Sequence, residues 1–117
     1  MEIWINPACS KCRTATAELD ASGVAYTVRR YLDEPPTATE LAAVLDRMGL
    51  EPWDIARPVE TRAAAIDLPR DAEHRDAWIA AMVSDPRTIQ RPIITTTDGT
   101  TAIARDATVL ANLIDLG

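Results

Sequence analysis

The two cysteines of this 117-residue chain lie close together near its start, in the segment NPACSKCR. The residues before this segment, EIWI, predict a short strand that ends at Asn6-Pro7. Helix-forming residues follow from about Ser10 to Ser22, and Gly23 stands where a left-handed helix cap is usual. The sequence therefore predicts that Cys9 and Cys12 lie where a first strand gives way to the amino end of a first helix.

A second strand is predicted directly after this helix. The helix carries Ala15, Ala17 and Leu19 on or near one face, which we expect to face the core. The segment VAYTVRRYL after Gly23 alternates as a strand does. Strand, helix and strand make a βαβ unit, and the handedness of such units predicts that its two strands are parallel neighbours.

The middle of the chain is predicted to be helical. Thr37 or Thr39 is a suitable N-cap for a helix from about 38 to 48, which Gly49 closes. A more broken helical pattern continues from Pro52 to Asp85, and its strongest stretch is DAEHRDAWIAAMVSD. We expect a helical insertion over about residues 38–86.

The last part of the chain returns to β-structure. RPIITTTDGTTAIA has two β-rich runs around Asp98-Gly99 and predicts an antiparallel hairpin, and RDATVLANLIDLG predicts a final helix with Asp106 near its start. The order βαβ, helices, ββα, with a Cys-x-x-Cys after the first strand, predicts an α/β fold of the thioredoxin-like class. The chain length predicts one domain, residues 1–117, that carries the helical insertion.

Composition excludes several classes of function. The net charge of −6 argues against direct nucleic-acid binding. No apolar run approaches the roughly 20 residues of a membrane span, and nothing at the amino terminus has the pattern of a signal peptide. We therefore expect a cytoplasmic protein with no membrane partner.

The position of the cysteines predicts redox chemistry. The thiolate is the reactive form of cysteine, and the amino end of a helix stabilises it through free N–H groups and the helix dipole. Cys9 has this position, with Lys11 and Arg13 as nearby positive charges, and Cys12 lies one turn on, where it can act as a resolving thiol. Two small buried hydrophobes are the plain alternative. A zinc site is disfavoured, because His74 is the single histidine, and no metal is expected.

Arg91-Pro92 is the second chemical signal. Proline suits the start of a strand because it cannot donate to a sheet ladder, and a cis-proline commonly lies opposite the cysteine helix in this architecture. Such a placement would bring the Arg91 side chain towards the sulfur. A guanidinium group is a forked donor suited to a tetrahedral oxyanion.

These motifs resemble a known family. NPACSKCR, YLDEPPTATELAAVLDRMG, RP before IITT, and GTTAIARDATVLANLI are together similar to the arsenate reductase family of thioredoxin-like fold, the ArsC/Spx group. The similarity covers nearly the whole chain. It implies a thioredoxin-like core with an inserted helical segment.

The resemblance also implies a reaction and a set of residues. Cys9 would attack arsenate or a similar oxyanion, and Arg57, Arg91 and Arg105 would hold the oxygens, with Arg62 as an alternative to Arg57. The supporting residues by position are Asn6, Arg13 and Pro92. No bound cofactor is implied. The reductant would be an external thiol, either glutathione with glutaredoxin or a thioredoxin-like dithiol protein, and Cys12 could resolve the adduct internally.

A second interpretation follows from the same resemblance. The arsenate reductases of this group carry a histidine just before NPAC, where this chain has Ile5, and they usually lack the second cysteine. The Spx branch, a set of redox-responsive regulators, has the Cys-x-x-Cys motif. The alternative function is therefore a regulator in which a Cys9–Cys12 disulfide changes the affinity for RNA polymerase or another protein.

Overall fold

The computed structural model describes all 117 residues, Met1–Gly117. In chain order the main elements are β1 (Glu2–Ile5), α1 (Ser10–Ser22), β2 (Thr27–Arg30), α2 (Ala38–Met48), α3 (Pro58–Ala63), α4 (Arg75–Ser84), β3 (Ile93–Thr95), β4 (Thr101–Ile103) and α5 (Ala107–Leu116). Short 3-10 turns lie at Pro52–Asp54, Ala72–His74 and Pro86–Thr88. No helix combines the length and the apolar composition that crossing a membrane requires.

The chain forms two compact units. The first contains Met1–Glu34 and Arg91–Gly117, and the second contains Pro35–Gln90. The second unit holds the three helices α2 to α4, and the residues expected to form the helical insertion lie within it. That the two units act as one domain stays a prediction from chain length.

The first unit is built on a four-stranded sheet with the order β2-β1-β3-β4. β1 pairs with β2 in parallel, as the βαβ pattern predicted, and β3 pairs with both β1 and β4 in antiparallel fashion. The thioredoxin-like fold predicted from the sequence is confirmed.

The core of the first unit lies between this sheet and the helices α1 and α5. Ile3 pairs directly with Ile94 across the ladder, and both side chains are fully buried. The helix residues packed on them are Cys12, Ala15, Leu19, Leu110 and Leu113. Ala17 is exposed, so its expected place on the buried face was wrong. Two residues turn a helix by about 200°, which carries Ala17 away from the face of Ala15.

The second strand is shorter than the sequence predicted. VAYTVRRYL alternates over nine residues, but only Thr27–Arg30 pair with β1. The reason is the partner: β1 ends at Ile5, before Asn6-Pro7, so the ladder stops at the Ile5–Arg30 pair. Tyr31 therefore leaves the sheet, and its side chain is fully buried.

Helix ends follow the capping signals in the sequence. Gly23 and Gly49 have positive φ angles of 75° and 67° and close α1 and α2 as left-handed caps. Thr37, rather than Thr39, is the N-cap of α2, and with Glu40 it forms a capping box. In the second unit, Arg75 joins α4 to the end of α2 through ion pairs of 3.0 Å to Asp46 and to Glu51.

Candidate active site

The loop that presents the cysteines is held by its own hydrogen bonds. The carbonyl of Asn6 accepts from the Cys9 N–H at 2.9 Å, and the Asn6 Oδ1 accepts from the Ala8 N–H at 2.9 Å. Arg13 Nη1 donates to the carbonyls of Ala8 at 3.1 Å and Pro7 at 3.4 Å. The Arg13 side chain thus fixes the loop, which is a different contribution from the added charge near the sulfur that the sequence suggested.

Cys9 is the N-cap residue of α1, with extended backbone angles of φ −83° and ψ 125°. Its thiol is free and half-buried. Burial alone would raise the pKa of Cys9, but the N–H groups of Cys12 and Lys11 and the guanidinium of Arg91 donate to the sulfur and lower the pKa to about 6. Cys9 is therefore mostly thiolate at neutral pH, which makes it a nucleophile.

Cys12 has the opposite character. It is 1% exposed and belongs to the core beneath α1. In this respect Cys12 is the small buried hydrophobe that the alternative interpretation expected of both cysteines. Burial, and then the charge of the neighbouring Cys9 thiolate, raise the pKa of Cys12 to about 11. Its thiol donates a hydrogen bond to the Cys9 sulfur. Cys12 is therefore a protonated thiol within reach of the reactive sulfur.

Arg91 precedes β3, and its guanidinium donates a hydrogen bond to the Cys9 sulfur. The Arg91-Pro92 peptide bond is cis, and the Pro92 carbonyl accepts from the Ala104 N–H at 2.9 Å, which joins this turn to the end of β4. Burial would lower the pKa of Arg91, but hydrogen bonds to the Cys9 thiolate and to Tyr31 raise it. Arg91 is thus a permanent cation in contact with the nucleophile.

Arg105 provides a second guanidinium group at the same sulfur. Its Nη1 donates to the Arg91 carbonyl at 2.8 Å and lies 4.0 Å from the Cys9 Sγ. Its Nε and Nη2 have no hydrogen-bond partner in the protein, so these donors are free for a ligand. The residue directly follows β4 and Ala104, and Asp106 then caps α5, so two elements fix its position.

Tyr31 is a site residue that the sequence analysis missed. Its side chain is fully buried and accepts a hydrogen bond from Arg91. The alternation of VAYTVRRYL placed it in a strand, where no particular partner is implied. The signal that could have found it is the length of β1, which lets β2 pair only as far as Arg30.

Arg57 belongs to the second unit. It is the N-cap residue of α3, its Nη1 donates to Gln90 Oε1 at 2.6 Å, and its Nε lies 3.2 Å from Glu60 Oε2. Arg62, the alternative, is exposed on α3. The role of Arg57 at the oxyanion stays a prediction.

The first unit thus brings together a thiolate, a protonated thiol and two guanidinium groups. A thiolate can attack an electrophile, and two guanidinium groups can neutralise an anion that carries it. No group of three or more His, Cys, Asp or Glu side chains is arranged to hold a metal ion. The arrangement suits nucleophilic attack on a small anionic substrate, followed by thiol–disulfide exchange.

Comparisons with known proteins agree with this description. The sequence model of the ArsC family matches residues 4–111. A protein of the glnII region of Streptomyces viridochromogenes is 56% identical over 108 residues, which cover 90% of this chain and 91% of that protein. Arsenate reductase of Neisseria meningitidis is 31% identical over 106 residues, 90% of each chain. The solved structure of arsenate reductase from Vibrio cholerae superposes with a TM-score of 0.80 at 29% identity, covering 97% of this chain and 98% of that one.

Proposed function

The chain belongs to the ArsC family, and on that premise we propose that it is a thiol-dependent oxidoreductase that reduces arsenate or a similar oxyanion. One observation carries the proposal: the Cys9 sulfur is in contact with Arg91 and lies 4.0 Å from Arg105 Nη1. A nucleophile and the cations that attract an oxyanion therefore occupy the same place.

In the first step, the Cys9 thiolate attacks arsenic(V). A sulfur–arsenic bond forms, one arsenic–oxygen bond breaks, and the departing hydroxyl takes up one proton from solvent and leaves as water. Arg91 and Arg105 hold the remaining oxygens and offset the charge that develops on them. Arg57 is the third arginine that the family resemblance assigns to these oxygens.

In the second step, a thiol attacks the Cys9 sulfur of the adduct. A disulfide forms, the sulfur–arsenic bond breaks with its electron pair going to arsenic, and the thiol proton goes to an oxygen, so arsenite is released as arsenic(III). We assign this thiol to Cys12, and its hydrogen bond to the Cys9 sulfur supports the assignment. An external thiol completes the cycle, either glutathione with glutaredoxin or a thioredoxin-like protein.

A coupled assay tests the proposal. Purified protein, arsenate and NADPH are combined either with glutathione, glutaredoxin and glutathione reductase or with thioredoxin and its reductase. We expect arsenate-dependent NADPH oxidation with at least one donor. Cys9→Ser should abolish it, and Arg105→Ala should raise the KM for arsenate about tenfold or more, since a hydrogen bond to a charged group contributes about 1.5–3 kcal/mol.

The matched control is Arg30→Ala, an exposed arginine of β2 in the same unit. It removes the same positive charge at a position away from the Cys9 sulfur, so the KM for arsenate should stay unchanged. Absence of arsenate-dependent turnover with every donor would reject the proposal.

A redox-responsive regulator is the second candidate. The Cys12 thiol in hydrogen-bond contact with Cys9 favours it, because oxidation could close a disulfide with no separate substrate. Its test is capture of RNA polymerase or another partner from lysate by the oxidised and the reduced protein. Equal capture by both states, or none by either, would remove this candidate.

A further inference from the structure

A cleft of about 540 Å³ lies between α1 and α5, within the first unit. Lys11 and Arg105 are among the residues that line it, and both adjoin Cys9. Volumes of about 300–1,000 Å³ are usual for small-molecule sites. The cleft therefore has the size of a ligand site, and one of its lining residues, Arg105, lies with its Nη1 4.0 Å from the Cys9 sulfur.

The charges along the cleft are ordered. α1 begins at the residue after Cys9, and α5 begins two residues after Arg105, so both helices run away from the sulfur. The cations Lys11 and Arg105 consequently lie at the end near Cys9. The carboxylates of Glu18 and Asp115 line the cleft further along the two helices.

The charged side chains at the two ends of the cleft have donor or acceptor atoms that no other protein group occupies. Lys11, Glu18 and Asp115 are exposed, and none of them makes a hydrogen bond or ion pair within the chain. Arg105 has two free donor atoms, as described above. By contrast, Asp106 is occupied as the N-cap of α5, because its Oδ1 accepts from Thr108 and Val109. The unpaired groups form a positive end and a negative end with an apolar floor between them, to which Leu110 contributes.

We infer that this cleft binds the low-molecular-mass thiol that reduces Cys9 after its reaction: an extended, zwitterionic thiol peptide. Its carboxylate would lie at Lys11 and Arg105, and its amino group at Glu18 and Asp115. The inference rests on the proposed function, since it assigns the reductant of that reaction to a place in the fold.

The dimensions agree with this ligand class. Lys11 and Glu18 are seven residues apart on α1, which is about 10 Å along a helix axis. Three extended residues span about 10–11 Å. A tripeptide that carries its thiol near the carboxylate end can thus contact both ends of the cleft with the sulfur towards Cys9.

Burial decides which sulfur the bound thiol attacks. Cys12 is 1% exposed, whereas Cys9 is half-buried, so attack on a Cys9–Cys12 disulfide takes place at Cys9. A bond forms between the peptide sulfur and Cys9, the Cys9–Cys12 bond breaks, and the thiol proton goes to Cys12. A second thiol molecule then attacks the peptide sulfur, which releases Cys9 and the oxidised peptide as its disulfide.

Binding can be measured without any redox reaction. S-Methylglutathione, whose sulfur cannot react, is titrated into the reduced protein, and backbone amide resonances are followed by NMR. We expect saturable shifts confined to α1, α5 and residues 104–106, which precede α5 and also line the cleft. Glu18→Gln should weaken binding about three- to fivefold, as expected for one exposed charge pair. Ala111→Phe, which fills the cleft, should weaken binding more than tenfold.

Each variant has a matched control on the same helix. Ala17→Lys makes the same change in net charge as Glu18→Gln at the neighbouring exposed position, and Asn112→Phe adds the same ring next to Ala111. Neither position lines the cleft, and neither change should alter binding. Shifts outside α1, α5 and residues 104–106, no saturation, or equal losses in variants and controls would overturn the inference.

The outcome is separable from that of the proposed function. Binding in the cleft without arsenate turnover would support the thiol site and reject the reductase. Turnover with glutathione that Ala111→Phe leaves unchanged would support the reductase and reject the cleft as the site of its reductant.

Discussion

At the scale of single residues, the reactivity of Cys9 depends on its neighbours more than on its own burial. Two backbone N–H groups, Arg91 and the Cys12 thiol together outweigh the burial that opposes ionisation. The sequence predicted the contribution of the helix end, because Cys9 directly precedes α1. It could not predict the order of contacts from Tyr31 through Arg91 to Cys9, because residues distant in sequence meet there only after the sheet has formed.

Tyr31→Phe should raise the pKa of Cys9. The change removes the hydroxyl that holds the Arg91 guanidinium and leaves the buried ring in place. We expect the pH profile of Cys9 alkylation to have a midpoint near 6 in the wild type. The midpoint should rise by about half a unit in Tyr31→Phe and by about one unit or more in Arg91→Ala, where one unit corresponds to about 1.4 kcal/mol.

Tyr26→Phe is the control for this experiment. Tyr26 is the other tyrosine of the chain, and its hydroxyl bonds to Asp20 at the far end of α1. Loss of the Tyr26 hydroxyl should not change the midpoint of the pH profile of Cys9 alkylation. An unchanged midpoint in Tyr31→Phe would show that Arg91 is held by its other contacts.

At the scale of elements, a helix cap can affect both the stability of the fold and the position of a site residue. The sequence predicted α1 and α2 with the bounds observed, because Gly23, Thr37 and Gly49 are strong local signals. It predicted the region before α4 less well. Asp71 there accepts from the His74 N–H, and a 3-10 turn over Ala72–His74 takes the place of the first helical turn.

Asp106→Ala should reduce both stability and activity. The Asp106 carboxylate accepts from the Thr108 and Val109 N–H groups at 2.8 and 3.1 Å, and loss of such a cap costs about 1 kcal/mol. Because Arg105 is the adjacent residue, fraying of α5 should also misplace its guanidinium. We expect a lower urea midpoint together with a several-fold higher KM for arsenate.

Thr37→Ala removes a comparable cap in the second unit, where Thr37 Oγ1 accepts from the Glu40 N–H at 3.1 Å. It should lower the urea midpoint by a similar amount and leave the KM unchanged. Equal effects of the two variants on the KM would mean that α5 does not position Arg105.

At the scale of the whole molecule, the site is assembled from both ends of the chain. Cys9 and Cys12 follow β1, whereas Arg91 and Arg105 flank the hairpin of β3 and β4. The motif order predicted that Arg91 approaches the cysteines, and the family resemblance added Arg105. In the structure, parallel pairing of β2 and antiparallel pairing of β3 with β1 bring these segments into one sheet. The position of Arg57 could not be predicted in the same way, because its segment is not a strand of this sheet.

Ionisation of Cys9 should make stability depend on pH. Its pKa in the folded protein, about 6, is below the ordinary value of 9.0, so the unfolded chain binds more protons between these values. The stabilisation is complete above pH 9 and is lost as the pH falls through 6. The difference in unfolding free energy between wild type and Cys9→Ser should therefore grow from pH 6 to pH 8.5. Titration of one proton limits this slope to at most about 1.4 kcal/mol per pH unit.

Urea titrations of both proteins across this range measure the effect. Well below pH 6 the two curves should run parallel, since the Cys9 thiol is then protonated in both the folded and the unfolded state. A difference that shrinks as the pH rises would mean that the fold does not stabilise the thiolate. Cys12 does not interfere, because its pKa of about 11 places its titration above the range.

The sheet also bears on how the protein behaves at high concentration. β2 is an edge strand of four residues, two of which are the arginines Arg29 and Arg30, and Val28 beside them is 46% exposed. Free strand edges are the usual templates for aggregation, and short length and positive charge are the features that counteract it. This edge therefore resists pairing with a second copy even though it displays an apolar side chain. Replacing its two arginines with threonine would promote pairing of this edge between copies, and hence aggregation.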